Sequence, residues 1–398
     1  MAKLIEITGK TISGEWGFDD TEGIGIPVLR TTNFTNEGFI DYQNVVTRII
    51  KKQNISEKFL RSGDIIIEKS GGSDKQPVGR VVYYDGPDNT YLFNNFTGVL
   101  RVKDPSKWYP KYIFYALFTN YWRGGTRRFE NKTTGLHNLK TDDYVARFGI
   151  AEIPLDQQIC ICNTLDKIHL LIGSRKKQLT KMDDLIKERF VEMFGDPIRN
   201  SKNFPTNPMT NVCEIIDGDR GKNYPTQEDF LDEGYCLFLN AKNVTSKGFS
   251  FKNCTFITKE KDEMLKKGHL NRGDVILTTR GTIGNLAFYD EFVPYENIRI
   301  NSGMVILRMN HGILLERFFI EQFKMQLGSI KEKIASGSAQ PQLPISTMNK
   351  IVVLTPPTEQ QKLFVDFVQN VDKLKSAIQA ALDKTQLLFD SLMQEYFG

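Results

Sequence analysis

Cysteine is scarce in this chain of 398 residues, and its placement excludes two uses at once. The five cysteines, Cys160, Cys162, Cys213, Cys236 and Cys254, are odd in number and form no Cys-x-x-Cys pair, so neither a disulfide framework nor a zinc site is indicated. Histidine is scattered as His137, His169, His269 and His311, a spacing that speaks against metal ligation. No apolar run reaches the roughly 18 residues of a membrane helix, and the opening MAKLIEITGK lacks the apolar core of a secretory leader. The expectation is a cytoplasmic protein without a membrane partner. A strong excess of one charge is missing too: the net charge is +4 and the pI near 8.6, which is compatible with nucleic acid without requiring it.

Catalytic signatures are lacking as well. There is no Gly-x-x-x-x-Gly-Lys-Ser/Thr phosphate loop, no Gly-x-Ser-x-Gly elbow and no His-Glu-x-x-His. The glycine-rich Ser70–Lys75 is none of these. Asp64 with Glu68 and Lys69 has the wrong spacing for a nuclease carboxylate set, and Thr355-Pro356-Pro357 lacks the flanking residues of an amino-methyltransferase motif. A chain without this apparatus reads as a binding subunit rather than an enzyme.

What the chain does have is the same pattern twice. LRSGDIIIE (60–68) recurs as LNRGDVILT (270–278), and TGVLRV (97–102) as SGMVILRM (302–309). Asn33, Gly38, Phe39 and Gly79 recur as Asn243, Gly248, Phe249 and Gly284. Pro154 to Gln158 recurs as Pro357 to Gln361, and the Phe-Gly at 194–195 recurs at 397–398. Short β-branched runs broken by Gly, Asn and Asp predict strands in 1–155 and again in 210–356. Trp108–Tyr121 predicts a buried helix after Pro110. Residues 156–195 carry Leu165, Ile172, Leu179, Ile186 and Met193 at a spacing of seven, with Ile168 and Met182 between them. Residues 357–398 carry Phe364, Phe367, Val371, Leu374, Ile378, Ala381, Leu388 and Leu392, interrupted at Thr385. Residues 196–209 read as a linker, with three prolines in GDPIRNSKNFPTNP (195–208). At about 1.5 Å per residue the first helix spans roughly 50–55 Å. The predicted fold is α+β: two similar β-rich domains, 1–155 and 210–356, joined by two long antiparallel coiled-coil helices with pseudo-twofold architecture.

The chemistry left over is polar and basic loop chemistry. The richest stretch, 121–140, holds Arg123, Arg127, Arg128, Lys132, Thr134 and His137. The loop after the first Gly-Asp strand adds Lys69, Lys75 and Arg80, and its counterpart adds Arg280, Thr282 and Asn285. Ser338 and Gln340 stand where the second half replaces the basic stretch by ASGSAQPQ. Arg30 with Asn33, and Lys242 with Asn243, complete the candidate DNA-binding set. Arg and Lys neutralise phosphates, while Asn, Thr and Arg also read base edges. Scaffold positions match between the halves and these loops differ, as two modules reading different short sequences would.

On the Gly-Asp-Ile/Val-Ile strand, the glycine-rich turn after it, the Pro-x-x-x-Gln helix starts and the Phe-Gly helix ends, the chain resembles the specificity subunit of type I restriction–modification systems. The resemblance covers essentially the whole sequence. It implies two target-recognition domains that each read one half of a bipartite, asymmetric site in double-stranded DNA. It implies helices that set the gap and dock two methyltransferase subunits, with two restriction subunits joining. It also implies no cofactor in this subunit, with S-adenosylmethionine, ATP and Mg2+ belonging to the partners. The Gly and Asp of the strand motif read as turn formers, not site residues. Two other readings compete: the specificity subunit of another restriction–modification class, and a duplicated protein-binding scaffold. Salt-dependent DNA affinity separates a DNA reader from a scaffold.

Overall fold

The repeated motifs fold into repeated geometry. The structure, a computed structural model, describes residues 1–133, 136–335 and 342–398. It divides into two units, Met1–Lys176 with Ala380–Gly398, and Lys177–Gln379. In the first unit an antiparallel sheet runs in the order Ile12–Ser13, Thr97–Leu100, Ile65–Glu68, Val81–Tyr83. In the second the same order is made by Cys213–Asp217, Met304–Met309, Val275–Thr278 and Leu286–Phe288. Ile66 lies opposite Val99, and Ile276 opposite Ile306, so the register is shared. A second sheet in each unit contains one parallel pair, Val28 with Leu92 and Leu237 with Ile298.

The Gly-Asp motif has one physical cause in both units. Gly63 and Gly273 adopt φ +96° and +94°, which the turn into the strand requires and a side chain disfavours. The aspartate that follows is 1% exposed. Asp64 accepts the Arg61 backbone N–H at 2.8 Å, and both its oxygens take the Arg101 guanidinium at 2.7 Å. Asp274 accepts Asn271 N–H at 2.7 Å and is forked by Arg308 at 2.9 Å. The reading of these residues as turn formers is thus completed by a charged fork between neighbouring strands.

The Pro-x-x-x-Gln motif is a cap for a neighbouring helix. Gln158, fully buried, receives Tyr109 N–H at 2.8 Å and donates to Lys107 and Ile153 carbonyls at 3.0 and 2.9 Å. Gln361, also fully buried, receives Leu315 N–H at 2.9 Å and donates to Ile313 and Pro356 carbonyls, both at 2.8 Å. Tyr109 and Leu315 stand just before the helices Pro110–Trp122 and Glu316–Ala335, so each glutamine takes the N–H at a helix start, where the helix itself supplies no acceptor.

The long helices run Leu155–Phe194 and Thr358–Phe397, each starting in one unit and ending in the other. Within the first unit His169 meets Phe389, and Arg175 donates to the Ala381 carbonyl at 2.6 Å. Within the second, Asp183 pairs with Lys375 and Phe190 packs on Phe364. The partner number falls as the residue number rises, so the helices are antiparallel in both units. The Phe-Gly ends dock on the aromatic helices: Phe194 lies 4.9 Å from Phe318, and Phe397 5.1 Å from Tyr112, between ring centres.

The seam differs from expectation in detail. On the first helix Leu165, Ile168, Ile172 and Ile186 are buried as expected, and Cys162, Phe190 and Phe194 join them. On the second, Leu374 and Leu388 are exposed, and the buried row is Phe364, Val368, Val371, Leu382, Thr385, Phe389 and Met393. Thr385 belongs to the seam because its hydroxyl donates to the Ala381 carbonyl at 2.7 Å and so carries no unpaired polar group inside. The expected linker is also partly ordered as sheet. Thr206–Pro208 pairs antiparallel with Val352–Leu354, as Ala2–Lys3 pairs with Gly149–Ile150.

Candidate nucleic-acid interface

The two basic stretches of the first unit, separate in sequence, meet in space. Glu130–Thr133 and Leu136–Leu139 form a hairpin, and Ser70–Gly72 adds a third strand through His137 and Asn138. The loop after this strand can fold back on it because Gly72 has no side chain; a Cβ there would lie 2.6 Å from the Val78 nitrogen. Glu130 ties the corner together, accepting the Val78 N–H at 3.1 Å and holding His137 Nδ1 at 2.9 Å. Around this frame Lys75, Arg123, Arg127 and Arg128 are exposed. Arg127 donates to the Asp74 carbonyl at 3.2 Å, and the Arg128 guanidinium stacks 4.9 Å from the Phe129 ring centre. The second unit repeats the relation with other residues. Arg280 bridges to Gln342, and Leu343 N–H donates to the Thr279 carbonyl at 2.9 Å. Arg280, Thr282 and Lys242 are exposed.

Several candidates are buried or half-buried, and most of these serve the frame. Asn33 is 2% exposed; its amide donates to Asp41 and Gln43 carbonyls and accepts the Arg30 N–H. Asn243 is 1% exposed and makes the same three bonds with Ser250, Asn253 and Asn240. Their recurrence reflects a loop clamp: both N–H donors and the oxygen of each buried amide are engaged within the loop. His137, 4% exposed, is likewise spent on Glu130, with Asp74 3.6 Å away. Arg80 donates to Thr31 and Phe34 carbonyls at 2.9 and 3.2 Å and lies 3.8 Å from Glu68. Burial holds the Glu68 carboxyl above its usual range, against the pull of Arg80. Asn285 donates to the Val244 carbonyl at 2.9 Å. Arg30 is half-buried. Lys69 is half-buried too, and burial, with Lys58 nearby, lowers the pKa of its ammonium. Thr134, Ser338 and Gln340 lie outside the described residues, as does the side chain of Lys132.

Among the described residues no group of His, Cys, Asp and Glu is arranged to hold a metal ion, and no helix is long and apolar enough to cross a membrane. Duplicated sheets with differing polar and basic loops on a shared frame define a two-module recognition protein. The chain belongs to the type I restriction modification DNA specificity domain family, whose model matches residues 1–181 and again 202–385. Membership places it with the DNA-recognition part of these complexes, which act with other subunits, and not with their catalytic part. A relative, the putative type I restriction enzyme MjaX specificity subunit of Methanocaldococcus jannaschii, is 20% identical over 370 residues, 88% of this chain and 81% of that protein. The fold is similar to the type I restriction–modification S subunit from M. genitalium, with TM-score 0.56 and 17% identity over 100% of this chain and 95% of that one. A chain from a structure describing complex assembly and conformational transition of the type I system matches with TM-score 0.53 and 14% identity, covering 100% and 96%.

Proposed function

We propose that each unit reads one half of a bipartite, asymmetric DNA site, that the long helices set the gap, and that they dock two methyltransferase subunits, with two restriction subunits joining the assembly in the cytoplasm. One observation carries this reading: three hydrogen-bonded joints of the frame recur in both units, while the exposed side chains mounted on it differ. The Asp–Arg fork, the Gln cap and the Asn clamp recur in both units. At the loop after the Gly-Asp strand the first unit exposes Lys75, with Arg127 of the neighbouring stretch beside it, and the second Arg280 and Thr282. A shared frame with private contacts is what two modules with different half-sites need. The test is co-expression with the neighbouring methyltransferase gene followed by adenine-methylation mapping. Two short half-sites around one constant gap support the reading. A well-formed complex that neither methylates nor binds DNA rejects it in favour of a protein-binding scaffold.

A further inference from the structure

A second corner of each unit, outside the hairpin, is built alike from residues that do not align by type. In the first unit Gly14 lies against the loop 94–96; a Cβ on it would sit 2.1 Å from the Asn94 carbonyl oxygen. In the second, Gly218 stands in the same relation to loop 301–303, 2.3 Å from the Asn301 oxygen. The next residue is acidic in both. Glu15 holds the Lys52 ammonium at 2.7 Å and also that of Lys58. Asp219 accepts the backbone N–H groups of Lys266 and Lys267 at 2.7 and 3.3 Å, leaving both side chains exposed. Lys52 and Lys58 hold the Glu15 carboxyl below its usual range. At Asp219 burial acts upward, and the N–H groups of Gly221, Lys266 and Lys267 outweigh it. Both acids therefore stay ionised and keep the basic segments in place.

The same loops reach the end of the Gly-Asp strand. Lys69 N–H donates to the Phe96 carbonyl at 2.8 Å, and Thr279 and Arg280 N–H donate to the Gly303 carbonyl. The Lys69 ammonium makes no hydrogen bond or ion pair among the described residues; Asp142 acts on it only from a distance. Arg220 reaches over the second loop, donating to the Ser302 carbonyl at 3.3 Å, with Asp217 at 3.1 Å. Cations outnumber carboxylates at both corners. Each corner is also continuous with its unit's basic loop: Leu139 N–H bonds the Lys69 carbonyl at 2.8 Å, and Arg280 bridges to Gln342.

We propose that these corners, Lys58 and Lys69 in the first unit and Arg220, Lys266 and Lys267 in the second, grip the phosphate backbone of the DNA whose bases the loops read. The inference rests on the DNA-reading function proposed above and adds a surface to it. Its residues hold register and carry no sequence information, since phosphates are the same at every base pair.

The test uses the full chain with Arg220, Lys266 and Lys267 changed together to Gln, bound to a mixed-sequence duplex across a salt series. Each lost phosphate contact lowers the slope of log affinity against log salt by about 0.9, so the triple variant is expected to lose about 2–3 of the slope. The methylated half-sites stay the same. A charge-keeping set, Arg220→Lys with Lys266→Arg and Lys267→Arg, retains the slope and controls for folding. An unchanged slope in the Gln variant, beside a steep one in the unaltered chain, overturns the corner alone. No salt dependence in the unaltered chain overturns the DNA reading and the corner with it.

Discussion

At the scale of single residues, what a polar side chain touches decides its role. Arg127 and Arg128 stand exposed on the hairpin frame, while His137 is spent inside it and Asn33 is spent inside its own loop. Arg127→Ala with Arg128→Ala is therefore expected to weaken DNA binding several-fold and leave thermal unfolding unchanged. Unchanged affinity in a salt titration would remove the hairpin from the interface. His169 offers a pH test. It lies between the rings of Phe39 and Phe389, with centres 4.6 and 5.9 Å away. Burial lowers its pKa below the ordinary 6.5, with Glu37 opposing and Lys176 assisting. The unfolded chain thus takes up the proton first as acid is added. The stability tied to His169 is complete above about pH 6.5 and is lost as the pH falls through the folded value. His169→Leu is expected to flatten this acid-side loss in denaturant melts; an equally steep loss in the variant would show that other groups cause it.

At the scale of elements, the motifs are joints. Each Pro-x-x-x-Gln segment places a buried amide that caps the adjacent aromatic helix, and each Phe-Gly end seats a ring on the aromatic helix of the unit it reaches. Gln361→Ala strands the Leu315 N–H and the Ile313 and Pro356 carbonyls in a dry interior, where an unmet partner costs about 1–3 kcal/mol. The expected sign is a lower urea midpoint at unchanged slope. An unaltered midpoint would mean that water or a neighbour replaces the amide. The seams show a limit of pattern reading. Leu374 and Leu388 fit the heptad as well as Val368 and Leu382 do, and leucine at either row satisfies the spacing. Only the position of the facing helix selects the row that is buried.

At the scale of the molecule, the long helices are the shared property of two units, each helix starting in one and ending in the other. If they act as a ruler, inserting one heptad into each keeps the seam and lengthens it by about 10 Å, or about three base pairs of DNA. Methylation mapping is expected to show a wider gap between unaltered half-sites. Altered half-sites at the old gap would reject the ruler. The duplication and the two long helices were legible in the amino-acid sequence, because backbone geometry imposes them residue by residue, and the recognition class through the family resemblance that the repeated motifs carry. A turn at positive φ favours Gly63 and Gly273, a buried cap needs Gln158 and Gln361, and a docked helix end needs Phe194 and Phe397. Which polar side chains face outward was not legible. Asn33 and Asn243 recur like site residues and are clamps, whereas Glu15 and Asp219 occupy one corner without matching in type. A polar side chain carries the same formula whether it serves a buried carbonyl or solvent. The sequence by itself therefore determined the frame, through local conformational demands, and the tertiary structure alone decided which charges were left facing outward once the frame had taken its share.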